Sequence, residues 1–178
     1  ERNLDLARVA ELSKQEALDE VEWLRLTAAA PVQAKELLQT EGYFNAEVTA
    51  RREPGPPPVV HVQVNPGPRV RVIDLVFTVR GALRERTDAN DADAREQIQS
   101  LHAWWPLPPG EAFRNAEWSA AKRAAVARLR AAGYASANVA ESSADIDVAT
   151  REARLQITLD SGPLFRAGTI RVEGVMHH

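Results

Sequence analysis

The feature that most limits how this chain can fold is a helix-stopping Gly-Tyr pair that occurs twice. Leu37-Leu38-Gln39-Thr40-Glu41-Gly42-Tyr43-Phe44-Asn45-Ala46-Glu47-Val48 matches Leu129-Arg130-Ala131-Ala132-Gly133-Tyr134-Ala135-Ser136-Ala137-Asn138-Val139 around that pair. Before the second copy, Trp118, Ala121, Ala125, Leu129 and Ala132 recur three and four apart, and Lys122, Arg123, Arg128 and Arg130 fall largely off that stripe. This is the helical period with one apolar side. A glycine at the end of such a helix can turn left-handed without a Cβ penalty. The period then changes to two. Ala137 and Val139 alternate with Ser136 and Asn138, and after a polar loop Leu155, Ile157 and Leu159 alternate with Gln156, Thr158 and Asp160. Alternation of this kind predicts strands with one buried face. The unit reads helix, glycine stop, strand, loop, strand.

In the earlier copy Val60, Val62 and Val64 alternate with His61 and Gln63 and lead to Gly67-Pro68, as the later strand leads to Gly162-Pro163. The Gly-Tyr pairs are offset by 91 residues and the Gly-Pro pairs by 95. The difference falls in the strand-to-strand loop, where insertions are tolerated. A period this long predicts tandem domains, not a solenoid of short repeats.

Composition narrows the function classes. A net charge of −3 over 178 residues gives no basic footprint for nucleic acid. The absence of cysteine excludes disulfides, thiol catalysis and cysteine-held metals. No run of about 18 apolar residues offers a membrane-spanning helix. Both ends read as cut, and we expect an excised piece of a longer protein. The closing Met176-His177-His178 is set aside as a tag remnant.

In chain order, Leu4, Leu6, Val9 and Leu12 suggest the tail of a helix. Ser13-Lys14-Gln15-Glu16 has a capping-box pattern. Ala17, Leu18, Val21, Leu24 and Ala28 predict one packing face, and Pro31 predicts the first turn of a separate helix using Val32, Ala34, Leu37 and Leu38. Strands are expected over 45–52 and 59–65, joined by the stiff loop Glu53-Pro54-Gly55-Pro56-Pro57-Pro58. A third extended run covers 70–79, with Leu75, Phe77 and Val79 in one phase. Residues 81–93 read as polar loop. Asp88-Ala89-Asn90-Asp91-Ala92-Asp93 lacks the glycine of a calcium loop, so an N-cap near Asp91 is the expectation, opening a helix with Ala94, Ile98 and Leu101. At least one of Trp104 and Trp105 should enter the core. Asn115 is expected to cap the Trp118 helix. The complete unit orders as strand 70–79, helix 91–102, helix 115–132, strand 136–141 and strand 153–160.

No enzyme is expected. His61 lies on a predicted strand and His102 near a helix end, neither with a partner the sequence places beside it. The chain has no HExxH or phosphate-loop pattern. No cofactor or metal site is read from it.

This repeated α+β unit resembles the POTRA domain. The likeness is carried by Gly42-Tyr43 and Gly133-Tyr134, by Gly67-Pro68 and Gly162-Pro163, and by the strands that follow at once, 70–79 and 165–172. Leu107-Pro108-Pro109-Gly110-Glu111-Ala112-Phe113-Arg114, with Glu117-Trp118-Ser119-Ala120-Ala121-Lys122-Arg123, looks like the second POTRA domain of TamA-like, BamA-type assembly proteins of the bacterial surface antigen family. The resemblance implies tandem β-α-α-β-β modules, each a three-stranded mixed sheet with two helices on one face. The modules would span 1–68, truncated at its start, then 69–163, complete, then 164–175, the first strand of a third, followed by 176–178 as tag. It further implies the periplasmic face of the outer membrane, a C-terminal membrane β-barrel in the parent, nascent outer-membrane or secreted polypeptides as clients, and an inner-membrane-anchored TamB-like partner. POTRA regions of two-partner secretion transporters and of cell-division scaffolds are the alternatives.

A sheet covered on one face leaves an edge strand with unpaired N–H and C=O groups, to which an extended client can add. The candidate edges are 45–50 and 136–140, with Asn45, Ala46, Val48, Ser136, Ala137 and Val139 as binding residues and Gly42, Tyr43, Gly133 and Tyr134 as structural helix stops.

Overall fold

The computed structural model describes residues 20–53, 55, 59–166 and 168. The segment 1–19, with the expected capping box, most of the proline-rich loop, most of the strand expected over 165–172, and the tag lie outside the described residues. The elements are α1 Glu20–Thr40, β1 Glu47–Glu53, β2 Val59–Asn65, β3 Arg71–Arg80, α2 Ala82–Asp88, α3 Ala92–Trp104, α4 Asn115–Ala131, β4 Asn138–Asp147 and β5 Glu152–Asp160. The fold is α+β, with β1 and β2 paired as one sheet and a mixed three-stranded sheet ordered β3-β5-β4. The chain divides into two compact units. One takes the described residues up to Leu75 with Leu107–Ser119 and Ala144–Arg154. The other takes Val76–Pro106, Ala120–Ser143 and the described residues from Leu155 on.

In the first unit α1 runs through Pro31 as one helix of 21 residues, where two helices were expected. The face also differs, except at Ala34, which packs as expected. Leu26, Ala30 and Ala34 are buried, with Val48 of β1 and Ala46 just before it, whereas Val21, Leu24, Ala28 and Val32 are exposed. At about 100° per residue the two apolar stripes lie roughly half a turn apart. The stripe of small residues is the buried one. β1 and β2 pair antiparallel from Glu47↔Asn65 to Glu53↔Val59. Val62 and Val64, expected on a buried face, are exposed.

The remaining part of this unit gathers around the first Gly-Tyr turn. Gly42 has φ +89° and closes α1 in a Schellman motif. The Tyr43 N–H donates to the Leu38 carbonyl at 2.9 Å and the Gly42 N–H to the Gln39 carbonyl at 3.0 Å. The Gly42 carbonyl then accepts from the Val70 N–H at 2.9 Å, at the entrance to β3. Val70 and Val72 are buried, one residue out of phase with Leu75, Phe77 and Val79, so the covered face of β3 changes along its length.

In the second unit Gly133 repeats the stop, with φ +96°. The Tyr134 N–H donates to the Leu129 carbonyl and the Gly133 N–H to the Arg130 carbonyl, both at 3.1 Å. Ala121, Ala125 and Leu129 of α4 are buried; Trp118, nearer the start of the helix and counted with the first unit, is buried too. Ala132, counted on that stripe, is exposed because the helix has already turned into its cap. Asn115 is the first helical residue, not the cap: the Trp118 N–H donates to the Arg114 carbonyl, which places Arg114 at the cap. Tyr134 is fully buried, with its hydroxyl accepting from Arg86 Nη1 at 2.7 Å.

Residues 82–88, read as loop, form α2. Its first turn is held by the Ser161 hydroxyl, which accepts from the Leu83 N–H at 3.0 Å. Asp91 caps α3 as expected, its carboxylate accepting from the Ala94 N–H at 3.1 Å. Trp105 is buried and stands edge-on to Phe77, with centroids 5.1 Å apart. Along β5, Ala153, Leu155, Ile157 and Leu159 are buried while Arg154 and Gln156 are exposed. Along β5 one face is therefore covered and the other faces outward.

Candidate sheet-edge binding site

Hydrogen-bonding capacity at the strand edges is set by strand order. In the order β3-β5-β4 the hairpin strand β4 is outermost. Its second edge has no strand partner among the described residues, and the same holds for β1 in the two-stranded sheet. β4 is ten residues long and continues to Asp147, well past the expected end at 141. The residues missed are Ser142 to Asp147. Their sequence suggests loop because an edge strand with one exposed face carries few apolar residues. A signal was present: Ala140, Ala144 and Ile146 share the phase that the structure half-buries. Ser142 shares it too, and its hydroxyl accepts from Lys122 Nζ of α4 at 3.2 Å, which points this phase toward the helix. Glu141, Ser143 and Asp145 face out.

The strand ends in a tight turn to β5. Asp147 Oδ1 accepts from the Ala149 N–H at 2.9 Å and the Thr150 N–H at 3.1 Å, and Arg151 takes φ +63°. These N–H bonds, Thr150 first, hold the Asp147 carboxyl below its ordinary value. The turn is thus best formed with Asp147 ionised.

Of the six residues singled out from the sequence, two lie within the strands. Val48 is in β1 but is buried, and Val139 is half-buried in β4. Asn45 and Ala46 precede β1. Ser136 and Ala137 precede β4; Ala137 is fully buried and its carbonyl accepts both Arg130 Nε at 3.1 Å and Nη2 at 3.0 Å. A residue clamped in this way has no free carbonyl edge to offer. The edge surface of β4 accordingly begins at Asn138 and includes the acidic Glu141 and Asp145. Charges on an exposed edge oppose indiscriminate strand pairing.

Other sites offer little chemistry. His61 is exposed and lies 2.9 Å from the Glu53 carboxylate. His102 stacks near Phe77, with centroids 4.4 Å apart, and partial burial lowers its pKa. A shallow groove of about 640 Å³ beside Asp93, Glu96, Ser100 and Arg128 has no convergent set of buried polar groups. Among the described residues no cluster of three acidic or histidine side chains could hold a metal, and no helix is long and apolar enough to cross a membrane.

The repeated Gly-Tyr stop, the hairpin that follows it and the covered three-stranded sheet define a POTRA-type α+β module. Residues 3–66 match the family described as POTRA domain, TamA domain 1. That match covers the first copy of the repeat, 64 of the 178 residues, and there the chain is similar to a POTRA domain of the TamA kind. Solved structures with detectable likeness include POTRA3-5 of BamA from Haemophilus influenzae, with 22% identity over 84% of this chain and 55% of that one, at a TM-score of 0.41. POTRA4 of the same protein shows 23% identity over 55% of this chain and 98% of that one, at 0.37. POTRA1-3 of Omp85 from Anabaena shows 20% over 77% and 51%, also at 0.37. The chain spans about half the length of the BamA POTRA3-5 structure. Comparison with curated proteins gives no significant match.

Proposed function

We propose that this chain is the periplasmic POTRA region of an outer-membrane β-barrel assembly or translocation protein, and that it captures extended client polypeptides along strand edges, foremost along β4. The observation that carries this reading is the position of β4, ten residues long and outermost in its sheet. An added strand would gain main-chain hydrogen bonds at its open edge. Each contributes only about 0.5–1.5 kcal/mol net, so a short client would bind weakly and with little sequence preference. That suits a module that handles many chains. The match to TamA domain 1 supports an inner-membrane-anchored TamB-like partner in the same process. The repeat supports module boundaries at 68/69 and 163/164. The chain works by binding, without chemistry of its own.

The test uses two adjacent positions. In a strand, neighbouring amides point to opposite edges. Of Ser142 and Ser143 one therefore points its N–H toward β5 and the other outward. Proline at the outward position removes one docking group and leaves the sheet intact, whereas proline at the inward position breaks the ladder. Titration of a soluble ten-residue peptide alternating valine with threonine and lysine should show capture by the wild-type chain. The folded one of Ser142→Pro and Ser143→Pro should bind several-fold more weakly. Equal binding by that variant would count against β4 as the docking edge.

A further inference from the structure

Helices α3 and α4 run antiparallel where they meet. Arg128, late in α4, lies over the Trp104 ring at the end of α3, its guanidinium carbon 4.1 Å from the ring centroid. Tyr134, just past α4, donates its hydroxyl to Gln97 Oε1 at 3.4 Å, two turns earlier in α3. The groove of about 640 Å³ lies along this pair of helices. One wall is a single face of α3, on which Asp93, Glu96, Gln97, Ser100 and Leu101 recur at helical spacing. The other is the end of α4, with Leu129 and Ala132. Leu101 and Leu129 are buried and make an apolar floor, and the small, exposed Ser100 and Ala132 leave room above it.

Charge is divided along the groove. Asp93 and Glu96 stand at one end, both exposed, and among the described residues neither carboxylate has a hydrogen bond or ion pair. Arg128 stands at the other end, held flat against Trp104. Glu96 and Trp104 are eight residues apart, about 12 Å along the helix. The lining offers side chains and no strand ladder. An extended chain laid here would leave its own N–H and C=O groups without partners, whereas a helix satisfies them internally.

We propose that this groove docks an amphipathic helix of a partner protein. The helix carries a lysine or arginine against Asp93 and Glu96, an aspartate or glutamate two turns away against Arg128, and leucine or alanine between them. It lies antiparallel to α3, because acidic side chains are favoured near a helix N-terminus and basic ones near its C-terminus. The surface is other than the β4 edge, and the proposal is independent of client capture there.

The probe is a capped, alanine- and glutamine-based peptide helix with glutamate, two leucines and lysine in that order on one face, the two charges two turns apart. Titrated into the full chain and followed by fluorescence anisotropy, it should bind saturably, and more weakly as salt is raised. The Asp93→Asn, Glu96→Lys double variant changes only exposed positions of α3, and circular dichroism checks that it stays folded. It should bind the probe about fivefold more weakly, the scale of exposed charge pairs. A second probe with the lysine replaced by glutamate should show the opposite preference and bind the variant better than the wild-type chain. A structural role for the two carboxylates would not produce that reversal. No saturable binding to the wild-type chain, equal affinity of both probes for both chains, or equal binding of a probe with both charges replaced by glutamine would each overturn the proposal. None of these results bears on capture at β4.

Discussion

The carbonyl oxygen of Phe113 fills the space that a Cβ on Gly42 would need. At Gly133 the nearest atoms to such a Cβ are Leu164 Cδ1 at 3.1 Å and the Phe165 carbonyl oxygen at 3.2 Å, so the fit is tight but not closed by backbone. Both glycines have φ near +90°. Gly133→Ala should therefore cost the left-handed strain, about 1–2 kcal/mol. Gly42→Ala should cost distinctly more, because Phe113 must also move. Chemical denaturation of the two variants checks the order, and a smaller loss at Gly42 would contradict it.

Pro31 sits inside α1. An interior proline removes a helix hydrogen bond and crowds the preceding turn, at about 3 kcal/mol. Pro31→Ala should raise the melting temperature of the chain, with part of the gain offset by the freer unfolded state. A lower melting temperature would mean that the ring makes packing contacts worth more than the bond.

The Ser161 hydroxyl is the acceptor for the buried Leu83 N–H. Ser161→Ala leaves that donor without its partner, a loss of about 1–3 kcal/mol. Hydrogen exchange at α2 should accelerate first, since this seven-residue helix buries only Leu83.

The Asp160 carboxylate accepts from the Gly162 N–H at 2.8 Å and from Arg80 Nε at 3.0 Å, and these hold its pKa below the ordinary 3.8. A carboxyl depressed on folding stabilises the fold above its unfolded pKa and loses that contribution as the pH falls through the folded value. Asp160→Ala should lower stability at pH 7, and its deficit against wild type should shrink as the pH drops below about 4. A deficit unchanged down to pH 2 would place the effect elsewhere.

The parts legible in the sequence were those where local chemistry and tertiary packing agree. The Gly42-Tyr43 and Gly133-Tyr134 stops, the alternation along Leu155, Ile157 and Leu159, and the Asp91 cap could each be read from a few neighbouring residues. Failures arose where tertiary context decides. Helix α1 carries two apolar stripes, and periodicity alone gave no reason to bury Leu26 and Ala30 in place of Val21, Leu24 and Val32. Helix α2 has too few core residues to show a period. The outer half of β4 looked like loop because an edge strand need bury little, and so the edge was placed a few residues early, on Ser136 and Ala137.

Amide exchange along β4, measured with and without a bound client peptide, reads strand addition at that edge residue by residue. If a client adds along β4, alternate amides between Asn138 and Asp147, those pointing away from β5, gain protection when the peptide binds. Binding that leaves every β4 amide unchanged would contradict it.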